Sequence, residues 1–263
     1  MLSLDEIYNR RHERVAVTAH RGASFDYPEN TIPALEQAVQ AGADFIEFDL
    51  RLTRDNQVVL LHDRSIDRTS DGVGMIEDLN FDTARGYNYS FFHHQERHEV
   101  GLTPQVMIPT FEEVLQQFAG RVAMNIQIYV GDGDGLKQVC DLYRKYRLFN
   151  QAYLTIANPD LALLARKWTP GVEICLTPGW IDRSTPAKLR QCKEFGCRFV
   201  QVVREYSTAE TFALCDRLGL FSNVFYADEP KHFQELRQLG ANGILTNQAA
   251  DLVQYLKNNK KLS

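Results

Sequence analysis

The chain lacks several features that mark whole classes of protein. No run of eighteen apolar residues occurs, and the opening stretch "MLSLDEIYNRRHERV" is polar and charged, so neither a membrane-spanning helix nor a secretory leader is expected. The five cysteines (Cys140, Cys175, Cys192, Cys197 and Cys215) are odd in number and show no C-x-x-C spacing, which argues against a disulfide framework and against a zinc site. They are expected to be buried small apolar residues. The formal charge is −5 and no basic cluster is present, so a nucleic-acid partner is not expected, because phosphate backbones demand concentrated Lys and Arg. What remains is a cytoplasmic protein with small-molecule partners, with a homo-oligomer left open.

With 263 residues, 44% of them hydrophobic and 24% charged, the chain is long enough to bury a full core. Short β-branched or aromatic runs alternate with helical patterns: "VAVTA" (15–19), "FIEFDL" (45–50), "VVLLH" (58–62), "VAMNIQIY" (122–129), "AYLTIA" (152–157), "EICLT" (173–177), "RFVQVV" (198–203), "SNVFYA" (222–227) and "GILT" (243–246). Helix starts are legible too. Thr110 with Glu113 forms a capping box, and Asn30 or Thr31 caps a helix that has Pro33 in its first turn and Gly42 beyond its end. The alternation predicts βα units around a parallel sheet. Because it recurs without a linker-like shift in composition, the expected fold is one (β/α)8 barrel over residues 1–263. Two irregularities qualify it. Nine strand candidates compete for eight staves, and Arg51–Gln57 is too short for a helical crossover between parallel strands, so one unit is atypical. The Gly-, His- and aromatic-rich segment at about 63–108, after the third strand, reads as a long insertion over one end of the barrel.

In "FIEFDL" the side chains two apart share a face, so Glu47 and Asp49 project together and Ile46, Phe48 and Leu50 face the other way. Two like charges on one buried face either raise a pKa or require a cation, and a hard divalent ion with oxygen ligands, Mg²⁺ or Ca²⁺, is one solution. A wet strand end with Arg51 or Arg54 as partner is the other. Neighbouring strands favour the first: "TAHRG" ends one strand at His20 and Arg21, and "LLHD" ends another at His62 and Asp63. Converging on one rim, these groups would supply proton transfer, anion binding and a metal seat.

The blocks "AHRGASFDYPENT", "GADFIEFDLRLTRD", "LLHDRSIDRTSDGVG" and "IPTFEEVL", with the weaker "LGANGILTN", resemble in order and spacing the glycerophosphodiester phosphodiesterase family. The resemblance implies a TIM barrel, a divalent metal and cleavage of small phosphodiesters. It implies Glu47 and Asp49 as metal ligands, His20 and His62 as the acid–base pair, Arg21 as a phosphate contact, and Glu29 and Asn30 as supports of the first catalytic loop. Where the family reads N-I-E-I-K in the fourth strand, this chain reads "NIQIY", so Gln127 replaces a metal carboxylate and Tyr129 a phosphate-binding lysine. One charge of each sign is lost, which suggests retuning. Likewise "FYAD", with Phe225, Tyr226 and Asp228, replaces W-T-x-N and implies a changed pocket wall.

Further candidates are Trp180, as a stacking surface for substrate or equally a packing residue, and Arg204, as a replacement for the missing lysine. His93 and His94 read as a solvated loop, and "GDGDG" (131–135) reads as the turn after the fourth strand rather than a calcium loop. Glycerophosphodiester hydrolysis is the favoured function. The same core acting on a sugar phosphodiester of the opine type, or transferring the phosphoryl group, is the alternative, and a non-catalytic binding protein is disfavoured by the retained acid–base and metal set.

Overall fold

The structure is a computed structural model, and residues 2–93, 96–97, 105–131 and 133–259 are described. A short helix, α1 (Leu4–Asn9), precedes β1 (Ala16–Ala19), α2 (Ile32–Ala41), β2 (Phe45–Leu52) and β3 (Val58–Leu60). An excursion follows with α3 (Phe81–Arg85) and a hairpin of β4 (Phe92–His93) and β5 (Glu96–Arg97). Regular alternation then resumes: α4 (Phe111–Phe118), β6 (Ala123–Ile128), α5 (Asp134–Lys145), β7 (Ala152–Ile156), α6 (Pro159–Trp168), β8 (Glu173–Leu176) and α7 (Pro186–Phe195). The chain closes with β9 (Phe199–Val203), α8 (Ala209–Leu218), β10 (Phe221–Phe225), α9 (Pro230–Leu239), β11 (Gly243–Thr246) and α10 (Ala249–Asn258).

Eight strands pair in the order β8-β7-β6-β2-β1-β11-β10-β9, every ladder between them parallel. Strands β8 and β9 lie against each other across the remaining seam, so the sheet is a nearly closed (β/α)8 barrel. The ninth candidate is the atypical one. β3 is not a stave: it folds back antiparallel on the end of β2, pairing Leu50 with Leu60 and Leu52 with Val58. The few residues between them cannot make a crossover, and a hairpin is the connection that short length permits. The insertion therefore follows an antiparallel arm and not a third barrel strand. It carries its own small apolar cluster, Val59, Leu61, Ile66, Ile76, Ala84, Tyr89 and Ile108. His94 lies outside the described residues.

Alternation along the strands divides the side chains as the pattern predicts. Ile46, Phe48 and Leu50 face the layer between sheet and helices, while Phe45, Glu47 and Asp49 face the barrel interior. The interior is layered. At the N-terminal end, Phe45, Tyr153, Phe199 and Phe221 pack beneath Leu4 and Ile7 of α1, which stoppers that mouth. A buried polar layer follows, with Thr18, Glu47, Asn125, Thr155, Gln201 and Asn223. The C-terminal mouth opens above it, the end where parallel barrels carry their chemistry.

Local signals build the frame as read. Thr31 caps α2 and Gly42 ends it in the left-handed region; Thr110 and Glu113 form the reciprocal cap of α4. The "GDGDG" stretch is only partly a turn: Gly133 is the N-cap and Asp134 and Gly135 already belong to α5, while Asp132 lies outside the described residues. All five cysteines are free and buried. Among the described residues no helix is long and apolar enough to cross a membrane.

Candidate active site

The loop after β1 is shaped by backbone conformation. Gly22 has φ +85°, and a Cβ there would stand 2.6 Å from the Ala34 carbonyl carbon, so only glycine lets the loop press onto α2. Arg21 and Asn30 also take positive φ, 56° each. The turn at Arg21 aims its backbone N–H at Glu47 Oε2, 2.9 Å away. The Asn30 side chain clamps Asp49 from both ends, donating from Nδ2 to Oδ2 at 2.9 Å and accepting from the Asp49 N–H at 3.1 Å.

Glu47 and Asp49 are 4% and 2% exposed, which removes the wet-strand-end alternative. Nor is Arg51 or Arg54 their partner: Arg51 donates to the His62 carbonyl at 2.7 Å and Arg54 to Asn80. Burial, and then the charge of Asp49, push the Glu47 carboxyl well above the usual range. The cation that faces the pair is Arg21, whose Nε is 3.3 Å from Asp49 Oδ2 and whose Nη1 donates to Glu29 at 2.9 Å.

Glu29 is the hinge of a charged chain. Both of its oxygens accept from Arg68, at 2.8 and 2.9 Å, and Arg68 Nε reaches Asp63 Oδ2 at 2.6 Å. Asp63 in turn accepts from His62 Nδ1 at 2.7 Å. Burial alone would raise the Glu29 carboxyl, but the two guanidiniums outweigh it and hold it down to about 2. Asp63 is likewise depressed, by its bonds to His62 and Arg68. With all four carboxylates ionised, Glu29, Glu47, Asp49 and Asp63 face two guanidiniums.

The two histidines are fixed differently. His20 Nδ1 is 2.8 Å from Asn247 Oδ1, and Asn247 Nδ2 donates to Asp228 at 2.7 Å, so the amide oxygen is the acceptor and His20 carries its proton on Nδ1. Its Nε2 keeps the lone pair, and no hydrogen bond engages it among the described residues. Burial first, then the Arg21 charge, hold its pKa well below the ordinary imidazole value. The ring stands edge-on to Phe225 at 5.4 Å and stacks on Tyr226 at 6.1 Å. His62 turns Nδ1 to Asp63 and meets Tyr129 edge-on at 5.6 Å. It reaches the mouth on the returning arm of the β2–β3 hairpin, where Leu61 N–H bonds the Asp49 carbonyl at 3.0 Å.

A cavity of about 660 Å³ gathers His20, Arg21, Glu47, Asp49, His62, Gln127, Tyr129, Trp180 and Phe225. Gln127 donates weakly to the Thr155 carbonyl at 3.4 Å, turning its amide oxygen the other way. Among the described residues no three His, Cys, Asp or Glu side chains gather as a metal cluster; the third oxygen donor at this place is the Gln127 amide. One expectation fails. Arg204 is not in the cavity: it lines a separate hollow with Asp228 and His232, donates to the Tyr226 carbonyl and pairs with Glu205. The short helical turn after β9 carries it away from the mouth. Its place is taken by Arg183, which sequence reading missed because "TPGWIDRS" has no recognisable pattern. Asn247 and Arg68 were also missed, although "ILTN" and "DRTSDG" lay within quoted blocks, and Asp228 was read as pocket wall; only the fold brings the three to the histidines.

Comparisons with known proteins bear on the family and the fold. A family model described as the glycerophosphoryl diester phosphodiesterase family matches residues 20–250. The protein YqiK of Bacillus subtilis is 30% identical over 247 residues, covering 92% of this chain and 98% of its own. Mouse glycerophosphodiester phosphodiesterase 1 is 42% identical over 105 residues, 40% of this chain, and the match spans only 30% of the mouse protein. Among solved structures, a phosphodiesterase of Oleispira antarctica in complex with the product sn-glycerol-3-phosphate superposes with a TM-score of 0.77 at 20% identity, over 92% of this chain and 96% of that one. A glycerophosphodiester phosphodiesterase of Agrobacterium tumefaciens gives 0.76 at 18% identity, over 92% of this chain and the whole of that one. The family model over most of its length and the full-length kinship with YqiK place this chain in the glycerophosphoryl diester phosphodiesterase family.

Proposed function

We propose that the protein is a divalent-metal-dependent phosphodiesterase that cleaves a small phosphodiester, a glycerophosphodiester, into an alcohol and a phosphate monoester. The observation that carries this reading is the meeting of two differently tethered histidines with a buried carboxylate pair in one cavity. Family membership supports it, and so does the sn-glycerol-3-phosphate product held by the Oleispira relative.

The donor set fits a hard cation such as Mg²⁺ or Ca²⁺, because it is all oxygen and two of its three members are buried carboxylates. Glu47, Asp49 and Gln127 would hold the ion; bound there, it would neutralise phosphoryl charge. The protein's own groups divide the remaining work. Arg21, tied to Glu29 and Asp49, orients the first loop and presents positive charge to the phosphoryl oxygens. His20, neutral and with Nε2 free, takes the proton of the nucleophile, which is water or a neighbouring hydroxyl of the substrate. His62 protonates the departing alcohol oxygen, and Asp63 steadies the imidazolium that precedes that transfer. The residue roles of Tyr129, Trp180 and Phe225 are to wall the substrate arms.

Purified protein assayed with glycerophosphoserine, glycerophosphoethanolamine, glycerophosphocholine and a sugar phosphodiester, with Mg²⁺ or Ca²⁺ and again after chelation, tests the proposal. Release of a phosphate monoester that stops on chelation, and that falls about a hundredfold or more in His20→Ala and His62→Ala, is expected. No release from any diester, or full activity after chelation, refutes it.

A further inference from the structure

Arg183 lines the cavity yet forms no ion pair among the described residues. Its Nε donates to the Gly179 carbonyl at 3.2 Å, and its guanidinium lies over the Trp180 ring, 4.4 Å from the centroid. Phe225 stands edge-on to the same Trp180 ring at 5.0 Å. Burial lowers the Arg183 pKa and no carboxylate offsets it, although the group stays charged. Arg21 and Arg68 each bond carboxylates, whereas among the described residues Arg183 bonds only a carbonyl and a ring face. Below it, Gln201 lines the same cavity from β9, and its Oε1 is buried without a donor among the described residues. A half-buried guanidinium without an anion and a buried amide oxygen without a donor are both costly, and one ligand group can satisfy both.

We propose that Arg183, Trp180 and Gln201 form a subsite that selects a diester arm bearing an acidic group with an O–H or N–H beside it, an amino acid or hydroxy acid, over a quaternary ammonium arm. The carboxylate meets Arg183 and the neighbouring donor meets Gln201 Oε1. A trimethylammonium group has no N–H for Gln201, is repelled by Arg183, and finds the face of Trp180 already covered by the guanidinium, the position a cation would use. This subsite comes from β9 and the loop after β8, across the mouth from Glu47 and Asp49 on β2, so it touches an arm of the substrate while the phosphoryl group faces the carboxylates.

The inference rests on the phosphodiesterase reading for its substrate, but binding tests it without turnover. Calorimetric titration of the full chain, in Mg²⁺, with O-phosphoserine, sn-glycerol 3-phosphate and phosphocholine should give phosphoserine tightest and phosphocholine weakest, by about tenfold or more between the extremes. Arg183→Met should collapse that ratio to within about threefold, and Arg183→Lys, which keeps the charge, should retain the order. Thermal melts check that both variants fold. An equal loss for all three ligands in Arg183→Met would assign Arg183 to the phosphoryl group and overturn the proposal, as would an unchanged ratio or no phosphoserine binding by the native protein. If the binding order holds while no diester is cleaved, the hydrolytic reading fails and the subsite stands.

Discussion

Substituting Glu47 by Gln should make the metal-free protein more stable, although it removes a group central to the proposed site. Glu47 and Asp49 lie two residues apart on one face of β2, both almost fully buried. At a strand rise of about 3.3 Å per residue they are separated by about 6.6 Å, and at an effective dielectric constant of about 20 their repulsion is about 2 to 3 kcal/mol. The glutamine removes that repulsion and the cost of burying one charge. It keeps an acceptor for the Arg21 N–H, now 2.9 Å from Glu47 Oε2, but loses the charge on that bond, about 1 to 2 kcal/mol. The net expectation is a gain of about 1 kcal/mol and a rise in Tm of about 2 to 4 °C in chelator at pH 7. The pH dependence has a definite sign. A carboxyl whose folded pKa is raised contributes stability below its unfolded value, 4.5, and loses it as pH rises through the folded value. Metal-free native protein should therefore lose stability as pH rises above 4.5, and Glu47→Gln should flatten that slope. Adding Mg²⁺ at about a hundred times its Kd should stabilise the native protein by about 2.7 kcal/mol and leave the variant unmoved. Calorimetric melts across pH, with and without Mg²⁺, decide it. A variant less stable than native in chelator, or one that retains the full Mg²⁺ response, would refute the reasoning.

Glu29→Gln should act oppositely: it strips the shared partner from two guanidiniums and should cost about 3 kcal/mol or more, measured by denaturant unfolding. Because the Glu29 pKa is depressed, its contribution is present above pH 4.5 and is lost as pH falls toward about 2, so native protein and variant should converge there. With His20 held neutral, the acid limb of the kcat/KM profile should lie below 6.5; a limb at or above that value would contradict its role as base. Gln127→Glu should tighten Mg²⁺ binding without raising turnover, and adding Tyr129→Lys should raise both. Strict additivity of the two changes in a double-mutant cycle would show that the positions are uncoupled.

The sequence alone determined what depends on neighbours along the chain. Period-two alternation put Glu47 and Asp49 on one face of β2, cap residues set the ends of α2 and α4, and a seven-residue gap ruled out a parallel crossover before β3. These are short-range rules of pleat, hydrogen bonding and reach. Tertiary structure decided what depends on closure of the barrel. It returned β3 as a hairpin arm that delivers His62 beside Asp49, and it brought Asn247 and Asp228 from the last strands to fix the tautomer of His20. It also turned Arg204 out of the mouth and Arg183 into it. A single charged residue beyond a strand end carries no local mark of the direction it will take. Only the packing of all eight loops around one cavity, and the cost of leaving a charge buried without a partner, decides which cation faces the substrate.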